Sequence, residues 1–187
     1  MPEKFTAAVL IGSLRKHSFN RKMAHALIAQ SPERLSCRIV EFADLSIYNE
    51  DVDADPPASW TRFRDEIRAT DAVLFVTPEY NRSVPGGLKN AIDVGSRPQG
   101  KSVFDGLPTA VVSVTPYKLG AFGANHALRQ TFVFLNMPVM QQPEAYIGGA
   151  AELFDAEGEL KNEATRQFIT EFMMAFSQWI TQTARLH

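Results

Sequence analysis

Five short apolar runs, each followed by a stretch with helical spacing, recur along this chain of 187 residues. Few folds accommodate that alternation. Phe5 to Ile11, Cys37 to Phe42, Ala72 to Thr77, Thr109 to Val114 and Val139 to Ile147 are the strand-like runs, the last interrupted by Pro143. Strands that are apolar at nearly every position are buried on both faces, the state of a parallel sheet covered by helices. Between them, Arg21 to Ala29 carries Met23, Ala26 and Leu27 at helical spacing and is stopped by Pro32. Ser59 can cap a helix whose inner face is Trp60, Phe63 and Ile67. Gly87 to Val94 and Gly123 to Leu135 supply two more helices. The last, Glu163 to Ala184, stacks Phe168, Phe172, Phe176 and Trp179 at spacings of four, four and three. Periodicity therefore gives an α/β class with a parallel sheet. No repeat, low-complexity tract or linker divides the chain, and one domain over residues 1–187 is expected.

A formal net charge of −2 offers no basic face, so nucleic acid and anionic membrane are excluded as expected partners. No apolar stretch approaches the roughly 18 residues of a membrane span. The opening Met-Pro-Glu-Lys-Phe lacks the apolar core of a secretory leader. Cys37 is the only cysteine, which rules out an intrachain disulfide, suits a reducing cytoplasm and reads as a small core hydrophobe. Asp51-x-Asp53-x-Asp55 begins like a calcium loop, but Pro56 replaces the required glycine and Arg62 the final glutamate, leaving a solvated acidic loop. His17, His25, His126 and His187 have no metal spacing with a carboxylate or cysteine, so no metal is expected. No Gly-x-Ser-x-Gly elbow supports a hydrolase.

Three turns carry the chemistry. Gly12 to Asn20 joins the first strand to the first helix with small residues that free backbone N–H groups, two hydroxyls, an amide and the Arg15 guanidinium. The positive end of the following helix adds to that field, as a phosphate monoester requires. A dinucleotide fingerprint needs Gly-x-Gly-x-x-Gly, and only Gly12 is present, although Glu41 ends the second strand where a ribose-binding acid would stand. A Gly-Lys-Ser/Thr loop is absent. On residue types alone, a phosphate site and a polar turn capped by Ser18 or Asn20 both remain open.

In the second turn, Ala72 to Val76 breaks into Thr77-Pro78-Glu79-Tyr80-Asn81-Arg82-Ser83-Val84-Pro85-Gly86-Gly87 and then a helix. A strand end of this kind is where open α/β sheets bind ligands. Pro78 fixes the turn, the following N–H groups are free to face outward, and Gly86-Gly87 permits close backbone approach. Glu79 is expected to serve structure or a subunit contact, and Lys89 and Asp93, four apart, form a surface ion pair. The third turn, Ser113 to Gly123, follows the fourth strand.

Gly-Ser-x-Arg-x-x-Ser-x-Asn at 12–20 and Pro-Glu-Tyr-Asn at 78–81 resemble the NAD(P)H-dependent FMN reductase family of flavodoxin-like fold. Leu128-Arg129, Pro143-Glu144 and Phe154 to Gly158 match that family's later pattern, so the resemblance covers nearly the whole chain. It implies a three-layer α/β/α sandwich with a five-stranded parallel sheet in the order 2-1-3-4-5. It implies bound FMN, its phosphate embraced by Ser13, Arg15, Ser18, Phe19 and Asn20. Its ring would meet Pro78, Glu79, Tyr80, Asn81, Ser83 and Gly86 largely through main-chain atoms, with Ser113 and Thr115 on the pyrimidine side. No catalytic acid or base is expected, because the flavin carries the chemistry. NADPH or NADH would be the donor and a quinone, chromate, azo dye or free flavin the acceptor, in ping-pong turns at one open site. A homodimer or homotetramer with FMN near the subunit boundary is implied as well.

The third turn departs from the family's Ser-x-Ser-Pro-Gly-x-x-Gly-Gly segment. Tyr117 stands where glycine is usual, and Ala121 replaces the second paired glycine. Tyr117 narrows the acceptor pocket, stacks on a flat substrate, or packs against its own loop. Two further readings use the same fold, an electron carrier without NAD(P)H turnover and an inactive flavin-dependent regulator. The modest net charge argues against the first, since flavodoxins are typically very acidic.

Overall fold

All five strands are parallel and lie in the order β2-β1-β3-β4-β5, as expected from the resemblance. The computed structural model describes residues 4–183. The strands are β1 (Phe5–Ile11), β2 (Leu35–Ile39), β3 (Ala72–Thr77), β4 (Thr109–Val114) and β5 (Ala145–Ile147). The helices are α1 (Phe19–Ala29), α2 (Ala58–Arg68), α3 (Gly86–Gly95), α4 (Phe122–Phe134), α5 (Ala150–Leu153) and α6 (Glu163–Thr183). A short 3₁₀ turn at Glu50–Val52 and α5 are additions to the elements expected from periodicity. Both are too short to leave a periodic signature.

Alternate residues of the central strands feed two cores. Val9, Leu74 and Val112 pack with Met23 and Leu27 of α1 and Phe172, Phe176 and Ile180 of α6 on one face. Leu10, Phe75 and Val111 pack with Trp60 and Phe63 of α2, Ile92 of α3 and Phe132 of α4 on the other. The rings of Phe75 and Phe132 meet at 4.7 Å between centroids. Each such side chain contributes about 1.5–3 kcal/mol on burial, which is why β3 and β4 are buried along their full length. Phe168 and Trp179, expected in the α6 stripe, are only partly buried, whereas Ile169, Met173 and Ile180 join Phe172 and Phe176 in the core. Ala184, the expected last residue of that helix, lies outside the described residues.

Boundaries shift where the sheet edge or a proline intervenes. β2 occupies Leu35–Ile39 rather than Cys37 to Phe42. It is an edge strand with Ser36 and Arg38 exposed, and the apolar Val40 and Phe42 have already turned into the opposite core. The fifth strand is split. Val139 makes a single parallel bridge to Thr109, and regular pairing resumes only at Ala145, beyond Pro143, which has no N–H to donate. Ser59 does not cap α2; Pro57 holds the N-cap position and offers no side-chain bond. α1 begins two residues earlier than expected, with Ser18 as its N-cap.

At the amino edge of the sheet, Arg34 joins the ends of the described fold. Its carbonyl accepts from the Phe5 amide at 2.8 Å, and its guanidinium donates to Thr181 of α6 at 2.6 Å.

Candidate functional site

The carboxyl ends of β1, β3 and β4 point the three turns of interest toward one another. A crevice of about 230 Å³ opens between them. Ser13, Arg15, Ser18, Phe19 and Asn20 line it from the first turn, Pro78, Glu79 and Tyr80 from the second, and Thr115, Pro116 and Tyr117 from the third. Gly12 makes this convergence possible. A Cβ there would stand 2.7 Å from Thr77 Oγ1 and 3.2 Å from Pro78 Cδ, so the first and second turns touch only because the side chain is missing.

The first turn ends as a helix start. Ser18 adopts an extended backbone and its Oγ accepts from the Asn20 amide at 3.1 Å. Arg15 donates to the carbonyl of His17 at 3.2 Å, curling its side chain over the turn while remaining exposed. From residue 4 to residue 32 the chain has no carboxylate, yet it has Arg15, Lys16, Arg21 and Lys22. A locally positive field therefore surrounds the start of α1 despite the net charge of −2, and among the described residues only Arg21 of these four is neutralised, by Glu41 at 2.8 Å.

Asn20 carries an unmatched group. It is 4% exposed, and its Nδ2 donates to the carbonyl of Val114 at 3.4 Å. Its Oδ1 is buried with no hydrogen-bond partner. A buried acceptor left without a donor costs about 1–3 kcal/mol, which a hydroxyl-bearing ligand in the crevice relieves. FMN fits that requirement. Its phosphate suits the cationic turn, and its ribityl hydroxyls are donors for the buried Asn20 acceptor that the fold leaves unpaired at the crevice.

The second turn is a tight hairpin. Tyr80 and Ser83 exchange backbone hydrogen bonds at 3.1 and 3.0 Å across Asn81 and Arg82, both of which have positive φ. The amides of Tyr80 and Ser83 are thus committed to each other and do not face outward. Asn81 lines a neighbouring cavity of about 450 Å³ rather than the crevice, and Ser83 and Gly86 line neither. A Cβ on Gly86 would meet open space, so the fold itself does not demand glycine there. Lys89 and Asp93 pair at 2.6 Å as expected. Glu79 does what no residue of its own turn requires. Its Oε2 accepts from the amide of Ala124 in the first turn of α4, and its Oε1 pairs with Arg82 at 3.1 Å.

In the third turn Ser113 is fully buried and does not line the crevice. Its Oγ donates to the carbonyl of Gly120 at 2.6 Å and accepts from Asn125 Nδ2 at 3.2 Å, so it braces the loop. Thr115 lines both the crevice and the neighbouring cavity. Gly120 and Ala121 both have left-handed φ, +60° and +58°. Reading residue types missed the bracing by Asn125 and the Glu79 contact to α4, because each joins positions remote in sequence.

Away from the site, Asp53 of the acidic loop pairs with the buried Arg64 at 3.4 Å and accepts from the Tyr48 hydroxyl at 2.8 Å. Burial pushes the Cys37 thiol up, as befits a core position. Among the described residues no helix is long and apolar enough to cross a membrane.

A family model described as NADPH-dependent FMN reductase matches residues 5–152. The chain is 61% identical over 181 residues to a quinone reductase of Pseudomonas putida strain KT2440, covering 96% of this chain and 97% of that one. It is 40% identical to a 2-hydroxy-1,4-benzoquinone reductase of a Burkholderia species, over 92% and 94% of the two chains. Among solved structures, FerB, a flavoenzyme NAD(P)H:(acceptor) oxidoreductase from Paracoccus denitrificans, superposes with a TM-score of 0.90 at 41% identity, covering 96% of this chain and 98% of that one.

Proposed function

The chain belongs to the NADPH-dependent FMN reductase family, and we propose that it reduces quinones, donor and acceptor entering one open cleft in ping-pong turns. The observation that supports this most is the meeting of three turns around the unpaired Asn20 Oδ1. Bound FMN supplies the hydride chemistry. Ser13, Arg15, Ser18 and Phe19 hold the phosphate through charge-assisted bonds and the start of α1. Asn20 accepts from a ribityl hydroxyl. Pro78, Glu79, Tyr80 and Asn81 shape the floor under the ring, Ser83 and Gly86 set the backbone of that turn behind it, and Thr115 serves the pyrimidine edge, with Ser113 fixing the backbone behind Thr115. No side chain is assigned as general acid or base; Glu79, the nearest carboxylate, is engaged by Ala124 and Arg82.

Chromate, azo dyes and free flavin belong to the same proposal as further acceptors, since a cleft open to solvent admits molecules of several shapes. So do NADPH or NADH as donor, one flavin-binding domain, a cytoplasmic location and a homodimer or homotetramer. Phe122, Val133 and Phe134 of α4 are 52%, 79% and 80% exposed, an apolar surface that favours self-association.

The visible spectrum of the purified protein tests the reading. A yellow protein that bleaches with anaerobic NADPH and regains colour with a quinone is the expected result. A protein that takes up no FMN overturns it, and a yellow protein that NADPH and NADH leave unbleached is an electron carrier instead.

A further inference from the structure

The geometry points to Tyr117 as the residue that selects planar acceptors by stacking on them, an inference that rests on the reductase reading above. Tyr117 is 77% exposed, although its backbone is tied to its loop at two points. Its amide donates to Thr115 Oγ1 at 3.3 Å, and its carbonyl accepts from the Gly120 amide at 3.4 Å. That carbonyl also lies so close to Gly148 that a Cβ there would stand 3.0 Å away. An anchored backbone with a free ring is what a recognition residue needs and what a packing residue lacks. Exposure at this level removes the alternative that Tyr117 merely packs against its own loop.

The ring stands on the boundary between two cavities. Tyr117 borders the crevice shared with Ser13 and Pro78 and also the larger space shared with Asn81 and Leu119. A second tyrosine, Tyr80, is 48% exposed and lines the same crevice from the facing turn. A flat conjugated acceptor presents a π-face to such rings and buries apolar surface against them, in the offset geometry that aromatic pairs prefer. Tyrosine loses only two rotatable bonds in doing so, which keeps the ordering cost small. A compact inorganic anion has no face to offer. The ring at position 117 therefore separates quinones from acceptors such as ferricyanide.

Calorimetric titration of the oxidised holoenzyme with anthraquinone-2-sulfonate reads this stacking without electron transfer. Tyr117→Ala is expected to raise Kd about tenfold, equivalent to about 1.4 kcal/mol, and Tyr117→Phe to stay within about twofold of wild type, stacking being a property of the ring. In steady state with 2-methyl-1,4-naphthoquinone, the loss in the Ala variant falls on KM. Its kcat/KM relative to that for ferricyanide drops by about the same factor of ten. Unchanged anthraquinone binding in Tyr117→Ala overturns the inference, as does a Phe variant that fails like Ala, or an equal loss with ferricyanide. An altered oligomer on a sizing column with unaltered quinone binding assigns the ring to a subunit contact and also overturns it. Absent NADPH oxidation sinks the reductase reading alone, because the calorimetric comparison is made without donor.

Discussion

The carboxylate of Glu79 accepts a hydrogen bond from the backbone amide of Ala124 at 3.2 Å, so a residue at the end of β3 caps the helix that follows β4. Ala121 occupies the N-cap position of α4 and has no side chain that could do this. Gly123 makes room, since a Cβ there would stand 2.9 Å from Glu79 Oε2. Two walls of the cleft are thereby fastened to each other through one side chain.

Glu79→Ala is expected to lower stability by about 1–2 kcal/mol, the scale of a lost helix cap with its dipole contribution. Glu79→Gln retains an acceptor but not the charge, so its loss is smaller. Urea unfolding of the two variants and the wild type measures the difference, and equal losses would show that charge contributes nothing.

Ala121 holds a left-handed backbone at φ +58°, ψ +40°, which an L side chain adopts at a cost of roughly 1–2 kcal/mol. Ala121→Gly is expected to stabilise the protein by up to about 1 kcal/mol, the gain being reduced by the freedom glycine adds to the unfolded chain. A lower thermal midpoint in this variant would contradict the assignment.

Arg15 and Ser18 separate binding from folding. Arg15 is exposed and among the described residues bonds to its own turn alone, so Arg15→Gln is expected to leave stability within about 0.5 kcal/mol. FMN affinity should fall on the order of tenfold to a hundredfold, the scale of a charge-assisted bond. Ser18 also caps α1, so Ser18→Ala weakens FMN binding and costs about 1 kcal/mol of stability besides. Flavin fluorescence on titrating the apoprotein reports the affinities.

Alkaline titration has a defined sign. Burial, then the hydrogen bond to Glu144 at 2.8 Å, pushes the Tyr146 hydroxyl up to about 12 from an ordinary value of 10.0. The folded state keeps a proton that the unfolded chain releases, so this contribution is full below about pH 10 and is lost as pH rises toward 12. Tyr48 is shifted the same way, first by burial and then by its bond to Asp53. Phenolate absorbance should show Tyr146 ionising late, and Glu144→Gln should bring it earlier. A late step that the substitution does not move would assign it to another group.

How far the residues announced this fold can be judged strand by strand. β1, β3 and β4 have the bounds read from their apolar runs, because burial on both faces leaves no other signal to compete. β2 was displaced because an edge strand alternates and its apolar followers serve a different core. The cleft was legible as three turns, since strand ends in such a sheet share one edge. Which atoms of those turns stay free was not. The amides of Tyr80 and Ser83 are spent on each other, and the Ser113 hydroxyl braces Gly120, facts set by turn geometry rather than by residue type. The unpaired Asn20 oxygen was likewise invisible, because it depends on what Val114 takes from the same amide.

Arg34 gathers the first strand and the last helix at the edge of the sheet opposite the cleft. Phe5 and Thr181 thus both stand on that far side. A tether to an electrode anchored near either residue would hold the molecule by its back and leave the reactive mouth facing solution.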